Sequence, residues 1–180
     1  MPSAFTIRSA CDADLEALQA LIPLSVRTLQ SPYYSTAQIE AALGPVFGID
    51  RQLIQDQTYY VAEKAGRTVA CGGWSKRLSL FGGDQGRARP EAELDPKQHP
   101  ARIRAFFVHP ECARQGIGRA LIVVCEQAIV AQGFRQAELV ATLAGEPLYA
   151  ACGYEVVERF DIPLKAGLGL PAVKMTRKLR

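Results

Sequence analysis

Histidine is scarce in this chain: His99 and His109 are the only two in 180 residues. With so few imidazoles, a zinc site built on His and Cys ligands is not expected. Cysteine is present but unorganised. Cys11, Cys71, Cys112, Cys125 and Cys152 are odd in number and contain no C-x-x-C pair, which fits neither a disulfide framework nor a metal clip. Several lie in apolar surroundings, where cysteine serves as a small hydrophobe. That usage suits a reducing, cytoplasmic setting. Uninterrupted apolar runs of about 18 residues are missing, as is a basic-then-apolar leader, so neither a membrane span nor secretion is expected. The charge excess is small, with 21 Lys and Arg against 18 Asp and Glu and a net charge of +3. The basic residues are scattered rather than striped, which argues against a nucleic-acid partner. Only Lys174 to Arg180 is locally basic, and Met175 and Leu179 interleave there as on a solvated strand face.

What remains is an ordinary globular balance, 48% apolar and 22% charged, long enough for one domain over 1–180 with a full core. Ala4 to Arg8 alternates as a first strand. Asp12 or Asp14 can cap a helix carrying Leu15, Leu18, Ile22 and Val26 at helical spacing, with Pro23 expected to bend or interrupt it. Ser35 introduces a short helix that stops at Gly44-Pro45, and a further helical turn is expected within 48–55. Thr58 to Glu63 and Thr68 to Trp74 flank Ala65-Gly66 as an antiparallel hairpin. Gly72-Gly73 inside the second strand predicts a bulge or a close approach by another group. Residues 79–100 are polar and rich in Gly and Pro. They separate two strands, so they read as a loop insertion rather than a linker, and loops of this length are often functional. Strand 102–108, helix 116–132, strand 138–142, a short helix at 146–152 and strands 154–162 and 173–179 complete the chain. This order predicts a mixed α/β sheet with helices on both faces.

The most informative stretch runs from Phe106-Phe107-Val108-His109-Pro110 to Gly116-Ile117-Gly118-Arg119. A strand ends at Pro110, a loop follows, and two glycines open a helix. Helix-terminal amides and the helix dipole make such a junction an anion site. Glycine lets a phosphate approach the backbone closely. A dinucleotide fingerprint needs a third glycine where Leu121 stands, and a triphosphate loop needs Gly-Lys-Ser/Thr where Gly118-Arg119-Ala120 stands.

The stretch resembles the pyrophosphate loop of the GNAT superfamily of acetyl-CoA-dependent N-acetyltransferases. Val108-His109-Pro110 and Gly116-Ile117-Gly118 match the family pattern, with Ala113 at its first position and Arg114 one residue late. Downstream, Leu148-Tyr149 and Gly153-Tyr154 match a second family element, with Thr142 where many members carry Asn and Gly145 where they carry Ala. The resemblance implies a GNAT-like, mostly antiparallel twisted sheet whose fourth and fifth strands splay apart around a pantetheine arm. It implies acetyl-CoA as co-substrate, no metal, and a small-molecule or peptide amine as acceptor, attacked directly in a ternary complex.

The resemblance also assigns parts. The backbone of Phe106, Phe107 and Val108 would pair with pantetheine amides, and one amide of that strand would stabilise the oxyanion. The amides of Arg114, Gln115, Gly116, Ile117, Gly118 and Arg119 would hold the pyrophosphate, with charge-assisted contacts from the Arg114 and Arg119 side chains. Thr142 stands at the asparagine position beside the cofactor, and Tyr149 would protonate the departing thiolate. Many members carry a glutamate base on the fourth strand, and Arg102 to Val108 offers none. Glu63, Glu138, Tyr33, Tyr34 and His109 stand as candidates, with water as an alternative route. Two other readings stay open: a non-catalytic CoA-binding or sensor domain of this fold, and a redox or nucleotide-binding α/β domain. Monomer and homodimer are equally compatible with the sequence.

Overall fold

A computed structural model describes residues 4–86 and 91–180. Residues 87–90 of the 79–100 insertion, Pro90 among them, lie outside the described residues. The strands are β1 (Thr6–Ser9), β2 (Tyr59–Lys64), β3 (Arg67–Ser75), β4 (Ala101–Val108), β5 (Gln136–Thr142), β6 (Glu155–Pro163) and β7 (Gly169–Lys178). They form one sheet in the order β1-β2-β3-β4-β5-β7-β6. Every pairing is antiparallel except β4 with β5. The helices are α1 (Leu15–Leu29), α2 (Thr36–Ala42), α3 (Arg51–Gln55), α4 (Ile117–Ala131) and α5 (Glu146–Ala151).

The two faces of the sheet carry separate cores. On one, Leu18, Ile22 and Val26 of α1 and Ile39 of α2 bury against Val61, Cys71 and Phe107. On the other, Ile122, Cys125 and Ile129 of α4 pack on Trp74, Ile103 and Leu139. Each helix offers one apolar stripe, so each covers one face of the sheet.

Pro23 does not interrupt α1, which runs unbroken past it. The carbonyl that loses its partner belongs to Gln19, which is exposed, so water can satisfy it. The strand β7 begins at Gly169, earlier than expected, and the glycine-rich connection shrinks to a single 3₁₀ turn at Lys165–Gly167. Pro171 is tolerated because pairing with β5 reaches only Ala172, leaving Pro171 with β6 as its one neighbour. The insertion also has structure of its own. A 3₁₀ turn spans Asp84–Gly86, Asp84 N–H donates to Ile49 O at 2.9 Å, and Leu94 N–H donates to Lys76 O at 2.7 Å.

Candidate active site

Pairing between β4 and β5 covers only Ala101 with Ala137 and Arg102 with Glu138. Beyond that point the two strands part. The break coincides with an irregularity in β4, where register shifts between Cys71 and Gly73 of β3 and Ala105 takes a positive φ of 57°. An extra residue on one strand bends it and turns its amides out of the ladder. The Tyr59 hydroxyl pins the bulge by donating to Ala105 O at 3.0 Å. Opposite it, a Cβ on Gly72 would sit 2.8 Å from the Phe106 ring, and one on Gly73 would sit 2.5 Å from Thr58 O. Both glycines are therefore there for close approach, in agreement with the sequence reading.

The gap opens a cavity of about 720 Å³ through the sheet. At one end lie Arg114, Gly116, Gly118 and Arg119. Gly116, with φ of 83°, caps α4, and the first bond across this cap runs from Ala120 N–H to Gly116 O at 3.0 Å. The amides of Ile117, Gly118 and Arg119 thus precede the helical ladder and face outward at the positive end of the dipole. Arg114 also has a positive φ, 63°, which turns the loop sharply. At the other end the walls come from α1, from the loop at 46–48 and from Leu80, Phe81 and Gly82 of the insertion.

Between the two ends, Val108 N–H donates to Ser25 Oγ of α1 at 3.3 Å. This amide therefore points into the gap rather than to β3. Neighbouring residues of a strand direct their amides to opposite edges, so Phe107, opposite Cys71, turns its backbone towards β3. Of the three strand residues assigned to pantetheine, Phe106 and Val108 have backbone groups available, and Phe107 contributes its position as a cavity wall.

Tyr149 lines the same cavity, 9% exposed, with its ring edge-on to Phe106 at 6.2 Å and to Tyr154 at 6.0 Å. Burial pushes its phenol well above the ordinary tyrosine range. The Tyr154 hydroxyl donates to Glu126 Oε1 at 3.0 Å, and Arg177 holds the same carboxylate at 2.8 Å. Tyr154 is thus an anchor for the Tyr149 ring, and Tyr149 is the phenol that lines the cavity.

The acetyltransferase (GNAT) domain family matches residues 55–156. The chain belongs to the GNAT acetyltransferase family. Solved structures extend the likeness over the whole chain. A GCN5-related N-acetyltransferase from Rhodopseudomonas palustris is 21% identical, with a TM-score of 0.73 over 99% of this chain and 98% of that one. The PaiA N-acetyltransferase of Thermoplasma acidophilum, solved with coenzyme A, is 14% identical, with a TM-score of 0.67 over 97% and 99%. A phosphinothricin acetyltransferase of Sinorhizobium meliloti, solved with acetyl-CoA, is 22% identical, with a TM-score of 0.64 over 99% and 89%. At these identities the likeness establishes the fold. A comparison with curated proteins finds no match.

Within this GNAT frame several assigned residues also hold the scaffold. The Gln115 side chain turns away from the cavity, donating to Glu111 O at 2.9 Å and accepting from Lys64 at 2.8 Å. Only its backbone remains for an anion. Thr142 lines the cavity, but its Oγ1 accepts from Gly145 N–H at 3.0 Å, closing the turn into α5. Gly118 is required by packing as well, since a Cβ there would meet Leu148 of α5 at 3.0 Å.

The base candidates divide. Glu138 is held by Arg102 and, at 3.6 Å, by Lys174 at the closed end of the β4–β5 pair. Glu63 pairs with Arg8 at 2.7 Å. The Tyr34 hydroxyl donates to Pro171 O at 2.6 Å and accepts from Leu143 N–H at 2.9 Å. The His109 Nδ1 accepts from Glu111 N–H at 3.2 Å, as a turn residue does. Tyr33 alone of the five reaches the cavity.

Sequence reasoning missed Ser25, the Ala105 bulge, Phe81 and Arg104. Arg104 lines the cavity floor, pairs with Asp50 at 3.1 Å, and donates to Ser79 O at 3.1 Å and to Gly82 O. The alternation of Arg102, Arg104 and Phe106 along one strand was the available signal. Among the described residues no cluster of His, Cys, Asp or Glu is placed to hold a metal, and no helix is long and apolar enough to cross a membrane.

Proposed function

We propose that this protein moves an acetyl group from acetyl-CoA to an amine by direct attack in a ternary complex, the whole chain acting as one acetyltransferase domain. The carrying observation is the continuous cavity from the α4 N-terminus, through the β4–β5 gap, to the α1 side of the sheet. Its parts fit acetyl-CoA in order. Outward amides at Ile117 to Arg119, with Arg114 and Arg119 beside them, suit a pyrophosphate. The open edge of β4 at Phe106 and Val108 suits the amides of a pantetheine arm, taken up as an added strand. An outward amide of the bulged stretch is the donor for the tetrahedral oxyanion.

The neutral amine attacks the thioester carbon, the C–S bond breaks, and the proton released from nitrogen is the one the thiolate finally takes up. Tyr149 serves that last transfer. Its phenol is protonated at neutral pH, and burial raises its pKa further, so it hydrogen-bonds the developing thiolate and relays the proton: what the phenol passes to sulfur is replaced by the proton released from nitrogen.

Thermal shift tests the cofactor reading. At about 100 times its dissociation constant acetyl-CoA should add roughly 2.7 kcal/mol, or about 5–11 °C for a chain of this size. NAD and ATP should add little. A shift with NAD and none with millimolar CoA would refute the reading. Binding of acetyl-CoA without thiol release from any amine would favour a non-catalytic sensor instead.

A further inference from the structure

The acceptor end of the cavity limits what can enter it, granted the acetyltransferase reading above. The charged side chains that line the cavity are Arg104, Arg114 and Arg119; among the described residues no Asp, Glu, His or Lys does so. Arg114 and Arg119 belong to the pyrophosphate end. Arg104 lies nearer the acceptor end, its charge matched by Asp50. On the α1 side the polar side chains are the uncharged Ser25 and Gln30, the latter with a buried Oε1 that has no hydrogen-bond partner among the described residues. The rest of the acceptor end is walled by Leu29, Tyr33, Phe47, Leu80, Phe81 and Leu170. Two of these are aromatic rings left open to solvent, Tyr33 at 50% and Phe81 at 39% exposure. The Phe81 ring rests against Phe160 of β6 at 6.5 Å, which holds it at this mouth.

An alkylammonium entering here would lose water and find no carboxylate in the wall to pair with. Contact with aromatic faces repays only a small part of that loss. It would also arrive protonated at a site whose walls offer no carboxylate or imidazole to remove the proton. An amine that is already neutral meets neither obstacle. We infer that the acceptor is a compact, largely apolar amine that is unprotonated at neutral pH, of the arylamine class. The reaction balances without a base in the wall. The aryl nitrogen forms the N–C bond, the C–S bond breaks, and the nitrogen's surplus proton ends on the CoA sulfur.

The test compares p-toluidine, benzylamine, spermidine and a lysine-containing peptide as acceptors, by release of CoA thiol from acetyl-CoA. Calorimetry of acetyl-CoA binding runs on the same protein. With p-toluidine, kcat/KM should be highest at pH 7 and nearly flat up to pH 9. With benzylamine it should rise about tenfold per pH unit as the neutral fraction grows. Phe81→Ser should raise KM for p-toluidine at least fivefold while leaving acetyl-CoA affinity unchanged. Preference for spermidine or the peptide at pH 7, or acetyl-CoA binding with no turnover of p-toluidine, would overturn the inference. Failure to bind acetyl-CoA at all would instead overturn the acetyltransferase reading.

Discussion

Replacing Arg104 with Met tests how the acceptor wall is held. The Arg104 and Asp50 side chains are 1% and 0% exposed, with the guanidinium 3.1 Å from the carboxylate. The same guanidinium donates to Ser79 O at 3.1 Å and to Gly82 O, so one cation ties β4, the loop before α3 and the start of the insertion. Methionine keeps much of the side chain's apolar volume and removes the charge, the fork and both carbonyl contacts. Breaking a buried pair by deleting one partner costs about 3–5 kcal/mol, because the remaining charge is held away from water. For a chain of this length that is a fall in Tm of about 6–20 °C.

Urea denaturation of Arg104→Met, Asp50→Asn and the double variant closes the cycle. The double variant should be less destabilised than the sum of the singles, since the two groups touch. Where the variant folds, KM for the acceptor should rise because Phe81 loses its tether, and acetyl-CoA affinity should hold. A loss below about 1 kcal/mol, within the range of a surface pair, would show that the carboxylate and guanidinium are not electrostatically dependent on each other, and the reasoning would fail.

Tyr149→Phe keeps the ring contacts with Phe106 and Tyr154 and removes only the hydroxyl; general acid catalysis is worth about 10²–10⁴ in rate, so turnover should fall by at least about tenfold, with acetyl-CoA affinity nearly unchanged by calorimetry. Gly116→Val should weaken CoA binding strongly, because φ of 83° disfavours a branched residue and the new side chain enters the anion site. Gly118→Val should also disturb α4–α5 packing through Leu148, so it should lose stability as well as affinity, which scanning calorimetry separates. The Arg8 guanidinium beside Asp14, 2.7 Å away, holds that carboxyl down to about 2. A depressed carboxyl stabilises the fold above its unfolded pKa and loses that contribution as pH falls. Wild type should therefore exceed Asp14→Asn by about 1–2 kcal/mol at pH 6, after allowing for solvent screening of Arg8, with the gap closing between pH 4 and pH 2.

The parts of the site that lie close together in sequence were legible. The strand, Val108-His109-Pro110 and Gly116-Ile117-Gly118 specify a strand-to-helix junction by themselves, and the structure starts α4 one residue after Gly116. The helix at α5 and its end at Gly153 follow from composition in the same way. What stayed hidden depends on pairing between distant segments. Ala105 gives no sign of its positive φ, because the conformation is imposed by Tyr59 and by the shifted register with β3. Arg104 is written as an ordinary strand arginine, and only the fold brings Asp50 and the carbonyls of Ser79 and Gly82 to it. The partner of the Gln115 side chain was hidden for a similar reason, since Lys64 on β2 is brought to it only by the fold.

The opening of the sheet and the placing of its chemistry have one cause. Arg102 and Glu138 clamp β4 to β5 at one end. Three residues later the bulge at Ala105 turns β4 away, and the edge-on rings of Phe106, Tyr149 and Tyr154 fill the space that the missing ladder leaves. That wedge keeps β5 from closing onto β4, so the amide of Val108 remains available to Ser25 or to a ligand. It also seats Tyr149 where the core of the α4 face meets the cavity. Gly72 is the permissive element, since the Phe106 ring lies where its Cβ would be. A methyl group at that position would push Phe106 towards Tyr149, narrowing the gap and shifting the phenol together. On the proposed mechanism, binding of the pantetheine arm and proton delivery to its sulfur would therefore be coupled through one aromatic contact.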